Sequence, residues 1–212
     1  MYFLTRELYF PSVEYANTEG IIAIGGDLSP QRLLLAYKSG IFPWFEEDEP
    51  ILWWAPEERM VLFPDNLNVS KSMRNILNRN IFRVTFNTCF REVIANCRTI
   101  KREGQPGTWI TPEMVEAYCK LHELGYAKSV EVWQGNDLVG GLYGVDIKPV
   151  FCGESMFSKV SNASKVAFIA LVKYLQKENY NLLDCQVYNE HLESLGAKEI
   201  RREYFMKLLH QK

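Results

Sequence analysis

Three stretches of this chain put polar side chains where plain aliphatics would serve burial: Gly153-Glu154-Ser155-Met156-Phe157-Ser158, Ser161-Asn162-Ala163-Ser164-Lys165 and Leu183-Asp184-Cys185-Gln186-Val187. An acid, an amide and small hydroxyls set among apolar neighbours indicate that something polar is handled there. Asp184 and Gln186 stand two apart on an expected strand, so alternation directs both to one face, where a carboxylate and an amide can meet one substrate group. A hydrogen-bonded structural pair fits that spacing equally well. Cys185 then points the other way, which argues against a cysteine nucleophile partnered by Asp184. Glu154 lies on a second expected core strand and needs a partner, either an arginine in a structural ion pair or a bound substrate. Gly140-Gly141 and Gly153 interrupt strand patterns, as a bulge or the close approach of a ligand would require.

Other chemistries lack their residues. The five cysteines, Cys89, Cys97, Cys119, Cys152 and Cys185, are scattered without CxxC pairs, and His122, His191 and His210 are far apart, so buried thiols and no metal site are expected. There is no Gly-x-Ser-x-Gly elbow, no Walker loop and no dinucleotide fingerprint. Net charge is −2, which excludes nucleic-acid binding by bulk positive charge. Charge is nevertheless uneven: Lys71, Arg74, Arg79, Arg83, Arg91, Arg98, Lys101 and Arg102 are opposed between 67 and 102 by Glu92 alone. A solvated face and a local phosphate-binding surface both fit that imbalance.

The elements that must position these residues suit an ordinary globular chain, with 47% hydrophobic and 24% charged residues among 212. No apolar run reaches membrane-spanning length and the first residues lack a signal-peptide layout, so a cytoplasmic protein is expected. Ser29-Pro30 caps a short helix over 31–39 that Gly40 closes. The aromatics Phe42, Trp44, Phe45, Trp53 and Trp54 follow in a Pro-rich stretch, as packing or as a stacking platform for a planar ligand. Composition changes near Phe63-Pro64-Asp65, which divides the chain into a small domain at 1–63 and a larger one at 64–212. In the larger part Ser70 caps a basic helix to about Arg79, Phe82, Val84 and Phe86 alternate as a strand, and Thr88 caps a further helix. A polar loop over 101–107 delivers Trp109. Thr111-Pro112 opens a helix that Gly125 ends, with His122 as a partnered side chain. Strands over 130–133 and 138–145 form a hairpin around Gln134-Gly135-Asn136-Asp137, followed by a strand over 150–156, a helix over 162–177 and a strand over 181–187. Hairpin, strand, helix, strand is the order of an acyltransferase-type α/β core.

Read in order, Gly25-Gly26-Asp27-Leu28-Ser29-Pro30, Gly40-Ile41-Phe42-Pro43-Trp44-Phe45, Trp53-Trp54-Ala55-Pro56, Gly107-Thr108-Trp109-Ile110, Ser129-Val130-Glu131-Val132-Trp133, Gly140-Gly141-Leu142-Tyr143-Gly144-Val145 and the Gly153 and Asp184 segments resemble the motifs of the bacterial leucyl/phenylalanyl-tRNA-protein transferase family. The resemblance runs from about residue 20 to about residue 206. It implies an α/β (α+β) fold with a small N-terminal domain, contributing to the tRNA 3′-end site, on a GCN5-related acetyltransferase-like domain. It also implies an aminoacyltransferase that moves leucine or phenylalanine, and methionine less well, from aminoacyl-tRNA to the N-terminal Arg or Lys of proteins, marking them for N-end rule degradation. The terminal adenine would lie between Trp44 and Trp109. The amino-acid side chain would sit among Leu142, Phe151, Met156, Phe168, Leu171 and Leu183. Gln186, supported by Asp184, would orient and help deprotonate the attacking amine, with proton transfer by the tRNA 2′ or 3′ hydroxyl as the alternative, Glu154 would dock the acceptor, and Lys71, Arg74 and Arg79 would meet the tRNA body. An aminoacyl ester is already activated, so no cofactor or metal is expected. The partners expected are aminoacyl-tRNA and acceptor proteins, with no membrane, and the protein should be a monomer. A coenzyme A-dependent N-acyltransferase of similar topology is the alternative, although Ser161-Asn162-Ala163-Ser164-Lys165 does not look like its glycine-rich pyrophosphate loop. An RNA-binding module without transfer activity is the third reading.

Overall fold

Residues 2–100 and 108–211 are described by the computed structural model; the loop expected over 101–107, with Lys101, Arg102 and Gly107, lies outside them. Two sheets organise the chain. The first takes β1 (Tyr2–Leu4), β2 (Ile21–Gly25), β3 (Phe42–Pro43) and β4 (Leu52–Trp54) in the order β1-β2-β4-β3. Helix α1 (Pro30–Lys38) bridges β2 and β3; the Ser29 hydroxyl accepts from the Arg32 N–H, Pro30 sits in the first turn, and Gly40 turns the chain away at φ 76°.

The second sheet has seven strands: β5 (Glu58–Leu62), β6 (Arg83–Phe86), β7 (Ala127–Gln134), β8 (Asp137–Asp146), β9 (Val150–Ser158), β10 (Leu182–Gln186) and β11 (Lys198–Arg201), ordered β11-β5-β10-β9-β8-β7-β6. Between them run α2 (Lys71–Asn78), α3 (Phe90–Thr99), α4 (Pro112–Glu123), α5 (Ala163–Lys177), the one-turn α6 (Glu190–Ser194) and α7 (Arg202–Leu209). Because β5 pairs with both β10 and β11, the larger sheet claims the chain from Glu58 onward, ahead of the division expected after Phe63. The compositional change near Phe63-Pro64-Asp65 marks the end of a strand, where Pro64 opens a single 3-10 turn.

The sheet has apolar side chains on both faces. Helices α3 and α4 pack with α1 on one face, around Phe90, Val93, Tyr118, Tyr143 and Phe157. On the other, α5 lays Val166, Phe168, Ile169, Leu171 and Val172 against Val130, Val132, Leu142 and Leu183. The expected hairpin is β7 and β8, and β9, α5 and β10 follow as a parallel crossover, so the acyltransferase-type order is present. The glycines of β8 serve this packing. A Cβ on Gly140 would lie 2.6 Å from the Cβ of Ala163 at the start of α5, and one on Gly141 would lie 2.7 Å from the Val130 carbonyl oxygen. Close approach of helix and strand, rather than of a ligand, explains the pair.

The expected cap of α3 moves by one residue. Cys89 occupies the N-cap without a side-chain bond, because Thr88 is engaged elsewhere: its N–H and hydroxyl donate to Glu131, with the hydroxyl at 2.7 Å. Glu131 is buried and also accepts from the hydroxyls of Ser129 and Thr85. Burial pushes its carboxyl up, but these hydrogen bonds win and hold it below the usual range. His122 is partnered as expected, with Nδ1 at 2.9 Å from the Ala127 carbonyl and its ring stacked on Phe90 at 4.4 Å.

Candidate functional site

Strand register creates the site. β9 and β10 pair in parallel only as far as Cys152 and Asp184. Beyond that point β9 stays with β8, setting Met156 opposite Leu142, while β10 follows β5 through a bulge that sets Gln186 opposite Met60. The two strands therefore part. A pocket of about 340 Å³ opens between Gly153, Glu154, Ser155 and Met156 on one side and Cys185, Gln186 and Val187 on the other.

Its deeper wall is apolar, formed by Leu142, Phe168, Leu171 and Leu183, each buried, with Met156 beside them. Phe151, expected in this set, does not line the pocket. It precedes the parting of the strands, and its ring instead occupies the space a Cβ on Gly144 would need. Trp44 and Trp109 come from distant parts of the chain to the same pocket. Of the aromatics near β3 and β4, Phe42, Phe45 and Trp53 are core, whereas Trp44 is 39% exposed and braced against Trp54 at 5.3 Å between ring centres. Core packing thus takes Phe42, Phe45 and Trp53 and leaves Trp44 partly open to solvent.

The polar residues are arranged differently from simple alternation. Asp184 does not reach the pocket: it is fully buried on the opposite face of β10 and held by Arg59, whose Nε donates to Oδ1 at 2.8 Å and Nη2 to Oδ2 at 2.7 Å. The structural ion pair anticipated for Glu154 is formed by Asp184 instead. Leu183 and Cys185 share the pocket face, so Cys185 lines the pocket, contrary to the expected orientation. Burial pushes its thiol far up, which leaves no thiolate for nucleophilic work. Gln186 arrives by another route. The bulge and a left-handed backbone at φ 60° turn it into the pocket, and its N–H donates to Asp184 Oδ1 at 3.0 Å.

Among the described residues, two side chains of the pocket wall each leave one buried polar atom without a hydrogen bond, Glu154 Oε1 and Gln186 Nε2. Glu154 Oε2 accepts from the Tyr118 hydroxyl at 3.1 Å, and the Tyr118 hydroxyl is in turn bonded to that of Tyr37. Burial raises the Glu154 carboxyl to about 7, against the pull of the Tyr37 and Tyr118 hydroxyls. This tyrosine relay on α1 and α4 escapes sequence reading, since each tyrosine sits on the apolar stripe of its helix like any core aromatic. His191 and Asn189 also line the pocket unannounced, from the loop and single turn after β10, with burial and Lys165 lowering the His191 pKa.

Lys71, Arg74 and Arg79 stay exposed on and just after α2, make no ion pair among the described residues, and do not line the pocket. Other members of the basic stretch are engaged: Arg91 pairs with Glu116 at 2.5 Å and Arg83 covers the Trp133 ring. Among the described residues, no group of three or more His, Cys, Asp or Glu could hold a metal ion, and no helix is long and apolar enough to cross a membrane.

The sequence matches known proteins along almost its whole length. Residues 61–210 match the family model described as leucyl/phenylalanyl-tRNA protein transferase, and residues 26–57 match its N-terminal domain. Proteins named leucyl/phenylalanyl-tRNA–protein transferase from Flavobacterium johnsoniae and Christiangramia forsetii are 70% identical over 212 residues and 58% identical over 211 residues. The matches cover 100% of this chain and 100% of the first relative, and 99% of this chain and 100% of the second. A GCN5-related N-acetyltransferase from Kribbella flavida is a distant structural likeness, at 9% identity and a TM-score of 0.37, over 77% of this chain and 58% of that one. The chain belongs to the leucyl/phenylalanyl-tRNA protein transferase family and is an aminoacyltransferase.

Proposed function

We propose that this enzyme transfers leucine or phenylalanine, and methionine less well, from aminoacyl-tRNA to the N-terminal Arg or Lys of proteins, acting as a cytoplasmic monomer that marks them for N-end rule degradation. The observation that carries the reading is the pair of unpartnered buried polar atoms, Glu154 Oε1 and Gln186 Nε2, in the wall of a pocket that also holds two tryptophans and an apolar recess.

The terminal adenine stacks between Trp44 and Trp109, which assigns part of the tRNA 3′-end site to the N-terminal domain. The side chain of the amino acid enters the recess of Leu142, Met156, Phe168, Leu171 and Leu183. Side chains unbranched at Cβ fill it, and a methylene is worth only about 1–3 kcal/mol there, so methionine is admitted as a weaker substrate. The acceptor's cationic side chain meets Glu154, and Lys71, Arg74 and Arg79 contact tRNA phosphates.

The acceptor α-amine has an ordinary pKa near ~8, so a usable fraction is neutral at cellular pH. Its nitrogen attacks the ester carbonyl carbon; the bond from that carbon to the ribose oxygen breaks, and the amine's proton ends on the tRNA hydroxyl. A half-turn of the Gln186 amide presents its oxygen to the amine N–H, while Asp184 holds the Gln186 backbone from behind. Positioning and oxyanion stabilisation carry the reaction.

The test is incubation with Phe-, Leu- or Met-tRNA and peptides beginning with Arg, Lys or Ala, read by mass spectrometry. Extension of the Arg and Lys peptides, with Met the poorest donor, is expected. Equal extension of the Ala peptide would remove Glu154 from acceptor choice.

A further inference from the structure

Arg59 sits on β5 at 2% exposure, where a cation is costly unless it does a job. Its guanidinium is fixed on every side. Nε and Nη2 grip the two oxygens of Asp184, Nη1 donates to the Gly40 carbonyl at 3.2 Å, and Cζ lies over the rings of Phe42 and Phe205, 4.6 Å from each ring centre. Both sides of the pocket are indexed on this one group. Phe42 immediately precedes Pro43 and Trp44 and lines the pocket with them, and Asp184 Oδ1 receives the N–H of Gln186.

Gln186 is held at φ 60°, a conformation that L-residues other than glycine, asparagine and aspartate seldom adopt. Something must hold it there. The Asp184 carboxylate does so only if its own orientation is fixed, and a bidentate guanidinium fixes the plane of a carboxylate as a point-charge ammonium cannot.

We infer that Arg59 is a positioning residue for peptide-bond formation: through Asp184 it sets the backbone and hence the amide of Gln186 against the attacking amine. This rests on the role proposed for Gln186. Arg59 itself touches no substrate.

A scaffold role and a positioning role differ in what remains once Gln186 is removed. Single-turnover transfer from Phe-tRNA to an Arg-initiated peptide is measured at saturating tRNA and peptide for wild type, R59K, Q186A and the double variant, with tRNA affinity measured separately. R59K keeps the cation beside Asp184 but loses the bidentate grip and the stacked plane. It is expected to slow the chemical step roughly 10- to 100-fold, with tRNA affinity within about twofold of wild type. In the Q186A background it should cost no more than about a further twofold. A wild-type rate for R59K beside a slow Q186A overturns this inference alone, as does a full additional loss in the double variant. A wild-type rate for Q186A overturns the Gln186 reading and this inference with it. If R59K fails to fold by circular dichroism, F205L carries the same test, because it removes one covering ring outside the pocket. Slowing that vanishes in the Q186A background supports the inference, and an unchanged or additive effect overturns it.

Discussion

Glu154 is a carboxyl taken out of water with one oxygen bonded to Tyr118 and the other unpartnered. Its proton leaves only near pH 7, against 4.5 for an ordinary glutamate. As pH rises from about 4.5 to about 7, the unfolded chain gives up this proton while the folded chain keeps it, so stability falls through that window and levels off above it. Glu154→Gln escapes that loss. Its stability relative to wild type should be unchanged near pH 4.5 and rise to a gain of at most about 3 kcal/mol by pH 8. Urea denaturation at pH 5 and pH 8 checks this; an equal difference at both values would mean that Glu154 is not buried in the way described. The wild-type KM for an Arg-initiated peptide should also fall as pH rises through 7, because the ionised carboxylate meets the cation. At this scale the residue types stand out in the sequence, but the faces of Asp184 and Cys185 do not follow from it: Asp184 is buried away from the pocket and Cys185 lines it. Strict alternation would have sent Leu183, Cys185 and Val187 one way and Asp184 and Gln186 the other. A left-handed turn at a glutamine is invisible to a period-two pattern, and so was the buried Arg59, which sits beside Glu57 and Glu58 like a surface charge.

Elements were far more legible. Caps at Ser29, Ser70 and Thr111 each accept the hydrogen bond their sequence context promises, because the cap chemistry is local. Thr88 has the local signature of a cap but does not cap α3, because its hydroxyl serves Glu131, more than forty residues away in the chain. The parting of β9 and β10 could not be read at all, since it depends on which strand each one follows after its last shared pair. One consequence belongs to the contact of β8 with α5. Gly140→Ala places a methyl 2.6 Å from the Ala163 Cβ and 2.9 Å from its carbonyl carbon, which forces the first turn of α5 outward. The expected cost is about 1–3 kcal/mol in stability. Because α5 also carries Phe168 and Leu171, discrimination between phenylalanine and leucine should change as well. Thermal unfolding together with competition between Phe-tRNA and Leu-tRNA measures both, and a wild-type melting temperature would contradict the packing described.

Across the whole molecule, the two sheets meet where the chemistry is expected. Phe42, Pro43 and Trp44 lead from the small sheet into a pocket whose remaining walls belong to the large one and its connections. Net charge is only −2, so attraction of tRNA has to come from a local surface. If Lys71, Arg74 and Arg79 form it, replacing each with Gln should weaken Leu-tRNA and Phe-tRNA equally and lower the slope of log affinity against log salt by roughly one. Filter binding across a salt series checks this, and unchanged slopes would move the tRNA body elsewhere. The most direct measurement is single-turnover transfer of phenylalanine from Phe-tRNA to a peptide beginning with Arg, comparing wild type with Gln186→Ala under conditions where both are saturated with tRNA. A peptide heavier by one phenylalanine residue should form rapidly with wild type and at least about tenfold more slowly with the variant, a loss of about 1.4 kcal/mol or more in the transition state. Equal rates would contradict the account.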